Sequence, residues 1–126
     1  MAEHSSVIGI SPIPGTTQLN VGVAVQKGLY NAATVGGADF GLLVSITYMS
    51  INNKITSVQS GRVSIKTGTQ LIGPIDNRTT AVQFNLSLGT AEAPGGQPSY
   101  TASSQIVCKN ANGSDDEIGP AEDSNP

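Results

Sequence analysis

The chain has no tryptophan, one cysteine, one histidine, two phenylalanines and three tyrosines in 126 residues. Charged residues make up 12%, about half the share usual in a globular domain. Each shortage excludes something. Cys108 has no second cysteine to pair with, so an internal disulfide is impossible, and a small strand residue fits it better than a reactive thiol. His4 stands alone near the start, so Ser–His and Cys–His dyads lack a base within the body of the chain. One histidine without cysteine or carboxylate company does not make a metal site, and no cofactor motif accompanies it. With so few aromatics the core has to be built from Val, Ile and Leu. Nucleic-acid binding calls for a dense basic patch and stacking rings, whereas Lys27, Lys54, Arg62, Lys66, Arg78 and Lys109 are scattered. No apolar run approaches the ~18–20 residues of a membrane-spanning helix. Met1 to Ser6 is polar and carries Glu3, unlike a secretory leader. The expectation is therefore a chain made and used in a reducing interior, or assembled there into something larger. The sequons at Asn77, Asn85 and Asn112 then follow from a composition rich in Asn, Ser and Thr.

What is present is strand pattern. Leu42, Val44, Ile46 and Tyr48 alternate with Leu43, Ser45, Thr47 and Met49. Successive strand side chains point to opposite faces, so the first set forms one apolar face. Asn52-Asn53-Lys54 reads as a turn, because Asn tolerates positive φ. Ile55 to Val58 returns, Ser60-Gly61 breaks or bulges the strand, and Val63 and Ile65 resume the alternation. Two further runs alternate as cleanly. Leu19, Val21, Val23 and Val25 share one face, and Val82, Phe84, Leu86 and Leu88 share another. Tyr100 to Cys108 can form a last strand, with Ala102, Ser104, Ile106 and Cys108 on one side. No helical period of useful length and no fixed repeat is evident. The predicted fold is all-β, a small antiparallel barrel or sandwich-like domain, with Val23, Val44, Ile46, Ile65, Val82, Phe84 and Leu86 in its core.

The ends read differently. Residues 1–17 contain Pro12 and Pro14, which exclude a helix and a central strand. Val7, Ile8, Ile10 and Ile13 are too apolar for a solvated tail, so an extended arm is expected there. Pro12 and Pro14 would confine any strand pairing to the part before them: Ser6, Val7, Ile8, Gly9, Ile10 and Ser11. That hexapeptide is the candidate docking element, through addition to a partner's sheet edge. Residues 18–108 form the β domain. Residues 109–126 read as a flexible acidic tail, with Asp115, Asp116, Glu117, Glu122 and Asp123 and no base after Lys109. The net charge is −3, and the 114 residues before Asp115 hold six basic and four acidic groups.

No catalytic constellation emerges. The carboxylates available for paired acid–base work, Asp39, Asp76 and Glu92, all lie in Gly-rich turns, where such residues are ordinary turn chemistry. The small-residue loop 31–39 with Gly36-Gly37 runs into a strand rather than a helix, unlike a phosphate-binding loop. Gly89 to Ser99 is long for a hairpin connection and is a second candidate contact loop. A thin aliphatic core favours self-association or docking on a partner.

The stretch Gly37-Ala38-x-x-Gly41-Leu42-Leu43, a variable strand and turn, then Thr56 and Ser60-Gly61-x-Val63, resembles the lambda-type head decoration proteins of tailed bacteriophages. Lys27-Gly28-Leu29-Tyr30 and the loop after it fit the same pattern, and together the likeness covers about a third of the chain. The resemblance implies a non-enzymatic cement protein. It would be a homotrimer that binds the major capsid protein on the exterior of the virion after assembly in the host cytoplasm. It implies no catalytic residue, cofactor, metal, nucleic acid or membrane. Two other readings stay open: another phage structural component, such as a tail, fibre or minor capsid protein, and a small carbohydrate-binding β-sandwich. The latter would have to use Tyr30, Tyr48 or Tyr100 at its surface.

Overall fold

The computed structural model describes residues 5–37, 39–95, 99–109 and 112–117. Among them the chain forms β1 (Ser5–Pro12), β2 (Gln18–Gln26), α1 (Lys27–Thr34), β3 (Phe40–Met49), β4 (Ile55–Ser64), β5 (Gln70–Pro74), β6 (Thr79–Ser87), β7 (Thr101–Lys109) and β8 (Asp115–Glu117). These strands make two four-stranded antiparallel sheets, ordered β1-β2-β6-β5 and β4-β3-β7-β8. The protein is thus a small, mainly-β domain with one short helix.

The alternating runs do what their period requires. Leu19, Val21, Val23 and Val25 of β2 are fully buried, as are Leu42 and Ile46 of β3, with Val44 and Tyr48 nearly so. Val82, Phe84 and Leu86 of β6 meet them from the neighbouring strand, and Leu88 follows just beyond it. All seven residues expected in the core are buried. Burying a Val, Leu, Ile or Phe side chain contributes about 1.5–3 kcal/mol, so these rows are the main source of stability. The expected turn is present, with Asn53 at φ 62°. So is the expected bulge: the β3–β4 register shifts opposite Leu43 to Ser45, and Gly61 takes φ 67°, where a Cβ would be strained.

Three readings are corrected. Residues 5–12 are the outer strand of the first sheet rather than an arm apart from the β domain: Val7 lies opposite Val23 and Ile10 opposite Val21. A register shift at Ile8 lets Val7 and Ile10 both face the core although three positions apart. Ser5 Oγ lies 2.9 Å from Ser104 Oγ of β7, joining the two sheets along this seam. Next, residues 31–34, the first part of the expected small-residue loop 31–39, are helical and complete α1 (Lys27–Thr34). Ala33 is fully buried, and Leu29 and Tyr30 pack on the core from the same helix. The third correction concerns the acidic tail. Its residues Asp115–Glu117 pair with Val107–Lys109 as β8, and residues 118–126 lie outside the described residues.

Candidate functional site

The best-built surface feature is the tip of the β3–β4 hairpin, and the long loop after β6 holds it. Ser50 closes the turn, and its side chain is 1% exposed. Its Oγ accepts the backbone N–H of Asn52 at 3.2 Å and of Lys54 at 3.1 Å, two donors the tight turn would otherwise leave open. The same hydroxyl donates to Glu92 Oε1 at 3.1 Å. Asn52 Nδ2 donates to Glu92 Oε2, so both carboxylate oxygens are taken by the hairpin. The Tyr48 hydroxyl donates to the Glu92 carbonyl. Backbone bonds complete the clamp, from Ile51 N to Ala93 O at 2.8 Å and from Gly95 N to Met49 O at 3.2 Å.

Electrostatics follow the geometry. The Asn52 amide, then the Ser50 hydroxyl, hold the Glu92 carboxyl below its ordinary range, and the Lys54 charge adds to this. Burial pushes the Tyr48 phenol up, with the Glu92 charge acting the same way. Tyr100 packs edge-on against Tyr48, ring centroids 6.0 Å apart, and its buried hydroxyl has no hydrogen-bond partner among the described residues.

Fixed in this way, the tip exposes aliphatic surface. Met49 and Ile55 are cross-strand partners, 44% and 79% exposed, and Ile51 in the turn is 65% exposed. An apolar group set on a rigid turn and left in water is an arrangement that protein–protein contacts use. A second aliphatic group lies on and just after β5, where Leu71, Ile72 and Ile75 are each more than half exposed.

The structure brings the hexapeptide Ser6–Ser11 into β1, with Val7 and Ile10 committed to the protein's own core and Ile8 left 53% exposed. The three carboxylates considered for acid–base work each answer to local partners. Asp39 pairs with Arg62 at 3.0 Å. Asp76 Oδ1 accepts the Arg78 N–H at 2.8 Å, which lowers its pKa. Glu92 serves the clamp. Among the described residues no group of three or more His, Cys, Asp or Glu side chains is placed to hold a metal ion. Tyr48 belongs to the core, and Tyr30 and Tyr100 are half-buried and pack against it. No helix among the described residues is long and apolar enough to cross a membrane. Sequence reasoning pointed to the loop through its length, but missed Ser50 and the hairpin tip as its anchor. Comparison with known protein families, curated proteins and solved structures finds no match for this chain.

Proposed function

We propose that the protein is a non-enzymatic virion structural protein, a decoration protein that attaches to the outer surface of a phage head by contact with the major capsid protein and stabilises it. The observation that carries this reading is the clamped hairpin tip, whose Met49, Ile51 and Ile55 are held out of the core by a turn with satisfied backbone donors. A rigid apolar projection binds with little loss of conformational freedom, as a protein working by attachment requires. The likeness of the Gly37–Val63 stretch to lambda-type decoration proteins supports the same role and a trimeric state. A tail, fibre or minor capsid role would use the same surface. The burial of Tyr48 and the packing of the half-buried Tyr30 and Tyr100 against the core favour the attachment reading over a sugar-binding module.

The test is attachment. Purified protein is mixed with expanded phage heads stripped of their own decoration, and the heads are sedimented. Saturable binding in multiples of three per local threefold position, with increased resistance of the heads to heat, is the expected result. Failure to co-sediment with any head tested, alongside saturable binding to tail or fibre preparations, would move the protein to the second reading.

A further inference from the structure

Asparagine is one of the chemically less durable residues, and its durability depends on the backbone that follows it. The connection between β7 and β8 holds Asn112-Gly113. Among the described asparagines no other is followed by glycine. Both residues are exposed, and Gly113 takes φ 83°, a backbone region that suits glycine and strains a residue with a Cβ. A Cβ built at Gly113 would meet nothing within 4 Å, so the space around it is open. The Gly113 N–H donates to no described residue.

This nitrogen separates Asn112 from the other described asparagines. The backbone nitrogen after an asparagine is the atom able to attack its side-chain carbonyl carbon, and a hydrogen bond that holds the N–H elsewhere opposes the attack. After Asn52, the Asn53 N–H donates to Ser50 O at 2.9 Å. After Asn53, the Lys54 N–H donates to Ser50 Oγ at 3.1 Å. After Asn77, the Arg78 N–H donates to Asp76 Oδ1 at 2.8 Å. Asn20, Asn31 and Asn85 lie inside β2, α1 and β6, where the regular element fixes the backbone. The residues after them, Val21, Ala32 and Leu86, each carry a Cβ that crowds the nitrogen.

We propose that Asn112 is a self-modifying site: it deamidates through a cyclic imide, and the product loosens β8. The Gly113 nitrogen bonds to Asn112 Cγ as the Cγ–Nδ2 bond breaks, and the Gly113 N–H proton leaves with the amide nitrogen as ammonia. Water, the one co-reactant, then opens the imide at either of its carbonyls. One opening leaves an aspartate at position 112. The other leaves an isoaspartate, in which the main chain runs through the former side chain. Both products add a negative charge, and the isoaspartate also lengthens the main chain by a methylene.

That methylene falls in the connection that sets the β7–β8 register. β8 is an outer strand held by three pairs, Val107 with Glu117, Cys108 with Asp116 and Lys109 with Asp115. The Lys109 N–H turns to Asp39 O at 3.1 Å, on the β3 side. Successive N–H groups on a strand point to opposite sides, so the Cys108 N–H faces β8 and its exchange with solvent reports on that pairing. The reaction follows from the turn and is independent of the attachment reading.

Incubating the intact chain in mildly alkaline buffer, followed by peptide mass spectrometry, should place most of the amide loss at position 112. Electron-transfer fragmentation should identify isoaspartate there. In the aged chain the Cys108 amide should lose its protection from hydrogen exchange by NMR, while amides in the middle of β3 keep theirs. Asn112→Gln should abolish both changes, because the longer side chain closes a larger ring far more slowly. Freshly prepared Asn112→Asp brings the charge without the longer main chain and should keep Cys108 protected. Survival of the Asn112 amide, or amide loss spread evenly over the asparagines, would overturn the site. A modified chain whose Cys108 amide stays protected, or a fresh Asn112→Asp chain that has already lost that protection, would overturn the effect on β8.

Discussion

Replacing Ser50 by alanine tests whether the hairpin tip is held as described. The substitution removes one oxygen and leaves a methyl group in place, so no sizeable cavity forms. What is lost is the acceptor for two backbone donors, Asn52 N at 3.2 Å and Lys54 N at 3.1 Å, in a residue 1% exposed. Net hydrogen bonds contribute about 0.5–1.5 kcal/mol each, and an orphaned buried donor costs about 1–3 kcal/mol. Asn52 and Lys54 are exposed residues whose N–H groups can reach water after a small adjustment, which keeps the cost at the low end. The expected loss is about 2 kcal/mol for the pair. At ~3–6 °C per kcal/mol for a domain of this size, the Tm should fall by roughly 6–12 °C. Thermal unfolding followed by far-UV circular dichroism, with urea titration at 25 °C, reads both quantities. A shift below about 2 °C would mean that the hydroxyl is not satisfying the turn. Combining Ser50→Ala with Glu92→Gln should give less than the sum of the single effects, because the two residues share a hydrogen bond.

Three further outcomes follow. Because Glu92 titrates below its ordinary value when folded, the clamp contributes stability above the unfolded carboxyl pKa and loses it as pH falls through the lowered folded value. The Tm of wild type should therefore drop more steeply in acid than that of Glu92→Gln, and parallel curves would contradict the clamp. Ile46→Ala, at a fully buried site in the centre of β3, should cost about 2–5 kcal/mol in urea unfolding. Gly68→Ala should destabilise by about 1–3 kcal/mol, since the added Cβ would lie 2.9 Å from the Ser64 carbonyl oxygen, a backbone atom that cannot swing aside.

How much of this was legible in the sequence depended on where the physical cause lay. The rows Leu19–Val25, Leu42–Tyr48 and Val82–Leu88 were readable because each strand buries one face, and period two records that directly. The turn at Asn53 and the bulge at Gly61 were readable because their backbone angles demand particular residues. β1 was hidden by its own irregularity: the register shift at Ile8 puts Val7 and Ile10 on one face, so the run does not alternate, and Pro12 and Pro14 argued for separation from the sheet. α1 spans eight residues, about two turns, too short for a helical period to stand out, and its Gly28 weakens the local preference. The clamp could not be read at all. Ser50 and Glu92 are 42 positions apart, and only the fold brings the loop back over the hairpin.

Head binding by a hairpin-tip variant tests the docking claim most directly. Ile51 and Ile55 are 65% and 79% exposed, so replacing both with lysine should leave the β domain folded, as unchanged circular dichroism would show. If both side chains are buried against the shell, at about 1.5–3 kcal/mol each, their loss weakens attachment by at least ~100-fold. Titration of stripped, expanded heads with wild type and with Ile51→Lys/Ile55→Lys should show that loss. Equal affinity for the two proteins would mean that the tip is not the point of attachment.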